Sequence, residues 1–442
     1  MSKILVVSAG SFLGQIGGGQ SYTQDLVNEL NSRGHEVFIL DPSNRESIKC
    51  APSEIIRWKG MIVYKIHFDH LQECKKDQYS GLGSKRISFL EHILSEIKPD
   101  IVQINSLMPS MVKACNNLGI KYYVVAHHPG EVCPKGDLLT IGDAICTSVP
   151  SNKVCIRCAY ATNRKSRMVG KLLSNLPIQF LLGIGGYCLK NNAFGYIGRV
   201  FAKSIQIKEK IIGLQTYLKE SMLVVAPSQA IADSLVRAGL NKDRLRTILH
   251  GIKRAQASEI LDLERRPVKF GFVGRIDHAK GIHILLEAMK QSDLEEKAEL
   301  HIYGMATNSR DEEEWSTICD KYKSEAWLHL HGPFEYAQRE KIYRGIDVLV
   351  LPAIYLEVFG LVVAEALSAG RPVLATNCGG PAEQIMNGVN GWIVEPNNVN
   401  ALSDKLIYLT NNKKEIERAS QIAPNAVRDH VSYVDQIETL FT

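Results

Sequence analysis

Residues Leu349–Ile393 read LVLPAIYLEVFGLVVAEALSAGRPVLATNCGGPAEQIMNGVNGWI, and this stretch decides the fold. DVLVLPA (Asp347 to Ala353) is an apolar run of strand length, the pattern of a parallel strand covered on both faces. A short loop follows. Gly360 then admits close backbone approach at a helix start, where free N–H groups and the dipole favour an anion such as a diphosphate. Gly370 ends that helix, Pro372 opens the strand PVLAT, and Gly379-Gly380-Pro381 starts another helix. The unit is strand–helix–strand–helix, which predicts an α/β protein with a doubly wound parallel sheet. Glu357 and Glu365 are spaced as E-x7-E in apolar surroundings, where a charge needs a partner. The hydroxyl donors of a ribose or hexose would supply one, because ligands of open parallel sheets sit at the carboxyl ends of the strands. The bland alternative is two ordinary helix carboxylates.

A second stretch, VKFGFVGRIDHAKGIHILLEAM from Val268 to Met289, repeats the logic with cations. Its strand ends at Gly274, and Arg275 and Lys280 project from the following loop and helix start. Two cations beside a helix N-terminus suit a diphosphate leaving group, whose bridging oxygen gains negative charge as the bond to it breaks. The N-terminal stretch supplies a third element: the strand KILVVSAG, the glycines Gly17-Gly18-Gly19, the helix QSYTQDLVNELNSRG and the strand HEVFILD. This is a mononucleotide-binding half-unit. A dinucleotide-dependent dehydrogenase competes, because Asp41 ends the second strand where a ribose-binding acid would stand. The glycines argue against it, since a G-x-G-x-x-G beginning at Gly17 meets Tyr22 at its last position.

Taken together, these motifs resemble the family 4 retaining glycosyltransferases, whose architecture is GT-B, two Rossmann-like domains facing a central cleft. The family pattern is matched at Pro352, Glu357, Phe359, Gly360, Glu365, Ala366, Gly370, Pro372, Val373, Ala375, Gly379, Gly380 and Glu383, with Ala353 where the family usually has Ser. GRIDHAKG resembles its G-R-x-x-x-x-K-G, and ILHGIK its N-G-I/V-D turn with His250 in place of Asn. The resemblance implies that Arg275 and Lys280 neutralise the donor diphosphate and that Glu365 holds the ribose hydroxyls. Glu357, with backbone groups at Phe359, Gly360 and Leu361, would hold the transferred sugar, and Gly18 and Gly19 would lie near the donor phosphates. His127 precedes Cys133-Pro134 by six residues, as a histidine does in the family, and would contact the donor hexose; His128 replaces the usual Asp or Asn. The family needs no catalytic metal or other cofactor, only the nucleotide diphosphate-sugar as substrate and a glycan or lipid-linked acceptor. The expected domains are 1–222 on the acceptor side, 223–424 on the donor side beginning at the VVAPSQA strand, and a C-terminal helix in 425–442 that crosses back to the first domain.

At 442 residues the chain suits two domains with real cores, and 45% apolar with 22% charged residues is ordinary for a globular protein. It has no apolar run of about 18 residues, and MSKILVVSAGSF reads as a core strand rather than a signal peptide, which predicts a cytoplasmic protein. Its ten cysteines should then be thiols or metal ligands rather than disulfides. Cys133, Cys146, Cys155 and Cys158 give C-x12-C-x8-C-x2-C, open to structural zinc, a disulfide or free thiols.

From Arg157 to Lys219, inside an insert at about 133–219 that departs from the family, there are eleven Lys or Arg and one acid, Glu209. That segment is net +10 against +5 for the whole chain, so the remainder is net −5. Leu172, Leu173, Leu176, Ile178, Phe180, Leu181, Leu182 and Ile184 are interleaved with the cations. A basic and apolar mixture of this kind predicts docking on an anionic membrane surface, peripherally on its inner face. A basic groove for a soluble acceptor or a plain solvated face competes with that. Nucleic acid is not expected, because no recognition motif accompanies the charge.

Overall fold

A computed structural model describes residues 1–13, 17–42, 53–67, 80–105, 107–140, 142–160, 164–176, 195–255, 261–306 and 308–441. Two sheets organise them. The first takes β1 (Lys3–Val7), β2 (Glu36–Pro42), β3 (Ser53–Trp58), β4 (Met61–Ile66), β5 (Ile101–Ile104), β6 (Tyr122–Val125), β7 (Val224–Ala226) and β8 (Leu245–Thr247) in the order β3-β4-β2-β1-β5-β6-β7-β8. Every pairing is parallel except β3 with β4, a hairpin closed by Lys59-Gly60, both at positive φ, the backbone that matches the twist of a two-residue hairpin. The second sheet takes β9 (Val268–Val273), β10 (Ala298–Tyr303), β11 (Leu328–Gly332), β12 (Val348–Leu351), β13 (Val373–Thr376) and β14 (Gly391–Val394) in the order β11-β10-β9-β12-β13-β14, wholly parallel. β12 and β13 are buried at every position, as continuous apolar runs covered on both faces must be. Both sheets are doubly wound α/β layers.

The boundary between the halves differs from the expected 222/223. Val224 and Val225 of β7 pair with Val124 and Val125 of β6, and β8 pairs with β7, so both strands extend the first sheet. The crossing to the second sheet falls between Thr247 and Val268. The expected charged linker Leu261–Pro267 is anchored there, with Leu261 and Leu263 buried in the second domain's core. The helix His430–Glu438 crosses back: Tyr433, Val434 and Ile437 join the core of the first domain, and Arg33 bonds Asp435 and Glu438 at 2.7 and 2.6 Å. The halves also exchange apolar residues. Leu356 and Val358 from the loop after β12 pack into the first domain's core, and Leu139 packs into the second.

Within the basic insert, the helices Asn152–Ala159 and Arg164–Asn175 and the later part of Gly195–Glu220 form a small core of their own around Ile156, Tyr160, Leu173, Ile207 and Ile211. Ile178, Phe180, Leu181, Leu182 and Ile184 lie outside the described residues.

Candidate active site

The loops at the carboxyl ends of β9, β12 and β13 converge on one charged group. Lys280 ends a short 3-10 turn after β9, where the side chain of Asp277 accepts its backbone N–H at 3.0 Å. Its ammonium bonds the Glu357 carboxylate, and the Tyr355 hydroxyl donates to the same Glu357 oxygen at 2.5 Å. Lys280 and Glu357 are each only 13% exposed, so the pair is nearly dry. Burial disfavours the Lys280 ammonium, but Glu357 and Tyr355 outweigh it and hold Lys280 above the ordinary lysine value. Burial likewise pushes Glu357 up, and Lys280 overcomes this to hold the carboxyl below its ordinary value. Both groups are therefore charged. The ammonium retains donor capacity beyond Glu357, which suits phosphate oxygens.

Arg275 stands apart, with its side chain 59% exposed and its nearest acid, Asp277, at 3.7 Å. Its charge still reaches the site, since it lowers both Glu357 and His128. The backbone of Glu357 is fixed by bonds with Cys378 and Gly380, which lock the E-x7-E loop to the glycines after β13. Gly360, at φ +78° with Pro381 where a Cβ would stand at 2.8 Å, caps the helix Leu361–Ser368 and exposes its first N–H groups. Glu365 on that helix accepts the Tyr343 hydroxyl at 2.7 Å and has Arg339 at 3.9 Å. Burial pushes its carboxyl up, against the effects of Tyr343 and Arg339.

Across the cleft, Gly18 begins the helix Gly18–Ser32, and a Cβ there would meet Leu361 Cδ1 at 3.1 Å. Gly19 crowds Ala9 in the same way. The glycine loop of the first domain thus faces the start of the helix Leu361–Ser368 in the second.

His127, after β6, lies against Tyr22 at 4.5 Å and stacks on His250 at 5.1 Å. Its Nε2 is 3.3 Å from the Asn105 amide oxygen, and its backbone N–H donates to Glu131. His250 touches Phe359 at 5.0 Å, joining this ring cluster to the loop after β12, and Tyr22 meets the Tyr433 hydroxyl at 2.5 Å. Burial pushes His127 down to about 3 and His250 well below its ordinary value. Both imidazoles are neutral at physiological pH, able to contact hydroxyls but not to carry charge.

The motif search missed His250, Tyr22, Tyr343 and Tyr355. Two of them stood at marked positions, His250 as the departure in ILHGIK and Tyr22 as the residue that breaks the G-x-G-x-x-G pattern. Glu383 turns to the first domain: its carboxylate accepts the backbone N–H groups of Gln229 and Ala230 at 2.7 and 2.8 Å, capping a helix there. Asp41, the residue a dehydrogenase would use, is fully buried, and burial pushes its carboxyl up.

All seven described cysteines are free thiols. Cys155 is pushed up to about 11 by burial, with Cys133, Cys146 and Cys158 close enough to add to the effect. The four sulfurs do not make the expected zinc cage: among the described residues, Glu299, His301 and His329 form the one metal-competent group. Cys158 turns its sulfur toward the Leu139 carbonyl at 3.6 Å.

Two facing α/β sheets, a glycine loop opposed to a helix start and a buried Lys–Glu pair are the GT-B arrangement. The model for "Glycosyl transferases group 1" matches residues 253–426 and that for "Glycosyltransferase Family 4" matches residues 16–147, and the chain belongs to the family 4 glycosyltransferases. Sucrose synthase 2 of Arabidopsis thaliana is 36% identical over 152 residues, which are 31% of this chain and 19% of that protein. An uncharacterized glycosyltransferase of Methanocaldococcus jannaschii is 29% identical over 254 residues, 56% of this chain and 63% of the relative. The matches thus span less than two thirds of these relatives. Among solved structures, sucrose-phosphate synthase from Thermosynechococcus elongatus superposes with TM-score 0.66 at 16% identity, covering 100% of this chain and 98% of that one. Anabaena HepE in complex with UDP and glucose gives TM-score 0.66 at 16% identity, covering 100% and 99%. These likenesses speak to the fold.

Proposed function

We propose that the chain transfers a sugar, with retention of anomeric configuration, from a nucleotide diphosphate-sugar to a glycan or lipid-linked acceptor. The observation that carries this is the dry Lys280–Glu357–Tyr355 group opposite the glycine loop. Lys280 and Arg275 meet the diphosphate together with the N–H groups at Gly360 and Leu361, stabilising charge as it develops on the leaving oxygen. Glu357 holds hydroxyls of the transferred sugar and Glu365 those of the ribose. His127, neutral, contacts the hexose. Retention rests on the resemblance to the family: the acceptor attacks from the face that the diphosphate leaves, and the departing phosphate takes its proton. No metal enters this scheme, so a chelator should leave turnover unchanged.

The helix Arg164–Asn175 supports an acceptor held at a membrane. Met168 and Leu172 are 64% and 67% exposed, Leu176 follows at the same spacing just past the helix, and Arg167 and Lys171 flank them, also exposed. No described helix is long and apolar enough to cross a membrane. The chain would work from the cytoplasmic side, with its acceptor in the anionic leaflet.

The test is a panel of UDP-, GDP- and ADP-sugars, beginning with UDP-glucose because the HepE structure holds UDP and glucose. One donor should raise the melting temperature, a ligand at 100 times its Kd adding about 2.7 kcal/mol. The same donor should then release nucleotide diphosphate. Binding to liposomes with no diphosphate release from any donor would instead mark a non-catalytic scaffold.

A further inference from the structure

At the opposite edge of the second sheet from β14, the outermost strands β10 and β11 carry Glu299 and His301, and His329 and His331. Residues two apart on a strand share a face, and the register sets His301 directly opposite His329. The four side chains therefore meet. His301 Nε2 lies 2.9 Å and His329 Nε2 4.0 Å from the same Glu299 oxygen, and the two imidazoles stack at 4.6 Å. Ligand atoms of Glu299, His301 and His329 all fall within 4.8 Å of one another.

The spacing is informative. Ligands about 2.1 Å from a tetrahedral zinc stand roughly 3.4 Å apart, and the two distances to Glu299 bracket that value. The second nitrogen of His301 is also placed as a metal-bound histidine requires. Its Nδ1 lies 3.0 Å from His331 Nε2, a bond that fixes which nitrogen is left to a metal. His331 is itself held by stacking on Tyr303 at 4.1 Å. His301 is buried while Glu299 and His329 are half-buried, so an ion would be gripped from below and reached from solvent.

We propose that Glu299, His301 and His329 bind a divalent transition metal of the zinc, nickel or copper class, with His331 orienting His301. Two imidazoles and one carboxylate select these ions over calcium or magnesium, which take oxygen ligands. The site ties β11, the edge strand, to β10. It is separate from the transfer chemistry, whose lysine follows β9 and whose glutamates follow β12.

Full-length protein stripped with chelator and dialysed is titrated with Zn2+ and with Ni2+ by calorimetry. One equivalent should bind and raise the melting temperature. His329→Gln and Glu299→Gln, both at half-buried positions, should each weaken binding by more than about tenfold, the scale at which even the outer partners of a metal ligand act. Donor affinity and turnover should be unchanged in both. Cys155→Ser should bind like wild type, and the Co2+ form should lack the charge-transfer band of a thiolate ligand. No stoichiometric binding, or wild-type affinity in both variants, overturns the site. A thiolate band, or loss of binding in Cys155→Ser, would move the metal to the cysteines and overturn it equally.

Discussion

The two walls of the cleft use different chemistry. The wall built by the second domain is charged and dry, with Lys280 against Glu357 and Arg339 near Glu365. The wall built by the first domain is a stack of neutral rings, Tyr22, His127 and His250, tied through Tyr22 to Gln103 at 3.1 Å and to Tyr433. A leaving diphosphate needs fixed positive charge, which works best where water is excluded. A sugar needs apolar faces and neutral hydrogen-bonding groups. Burial therefore does opposite work on the two sides: it concentrates the field of Lys280 and strips His127 of its proton.

The strongest way to break this division is to remove the cation. Lys280→Met should lower kcat by at least about 100-fold, the scale for losing one group aimed at developing charge. It should also destabilise the fold by about 3–5 kcal/mol, because Glu357 is left buried and uncompensated. Adding Glu357→Gln should restore much of the stability, read by chemical denaturation, and none of the turnover. Recovery of both would mean that the pair is structural only.

Glu131 comes next. It is buried beside the backbone of His127, and burial pushes its carboxyl up to about 8, against bonds from His127 and His128. A carboxyl raised in the folded state is bound more tightly by its proton there than in the unfolded chain. The resulting penalty is absent below the ordinary glutamate value, grows as pH rises and is complete above about 8. Stability should fall by on the order of a few kcal/mol across that window. Glu131→Gln should flatten the profile, measured by urea denaturation at a series of pH values, and an unchanged slope would refute the assignment.

Glu365→Ala tests the ribose contact. Loss of charged hydrogen bonds worth about 1.5–3 kcal/mol should weaken donor binding roughly 10- to 150-fold in calorimetry. kcat at saturation should fall far less than in Lys280→Met.

The smallest effect is expected where the halves touch at the rim. Burial lowers His278, but Asp143 of the first domain at 3.1 Å and Glu314 at 3.2 Å outweigh it and raise its pKa, despite His283 stacked alongside. The contact is complete below the ordinary histidine value and is lost as pH rises through the raised one. Asp143→Asn should move the His278 titration, followed by NMR, toward lower pH. The group is 42% exposed, so the change in stability should be slight.

The second domain's wall was legible because its residues cluster in two short segments, each a strand, a loop and a helix start. Local spacing there already implies convergence. The first domain's wall draws on the helix after β1 and on loops after β5, β6 and β8, and the contact of Tyr22 with His250 spans more than two hundred positions, which no local pattern encodes. The domain boundary was misplaced for a related reason. VVA is a three-residue strand whose sheet is chosen by its neighbour β6, a long-range pairing. The cysteine spacing matched a zinc pattern, yet Cys155 and Cys158 ride on a helix whose packing turns Cys158 toward Leu139. The histidines of β10 and β11 attracted no notice in sequence, since nearly thirty residues separate them and only strand register brings them together.

The return of helix His430–Glu438 to the first domain has a consequence for how the molecule is made. Val434 and Ile437 fill the first domain's core, and the Tyr433 hydroxyl sits on Tyr22 within the ring stack. A ribosome delivering the chain at roughly 5–20 residues per second completes β1 to β8 long before it reaches this helix. The second domain can close as soon as its own strands emerge. The first must wait, its ring stack unfinished, until the helix His430–Glu438 has itself left the exit tunnel.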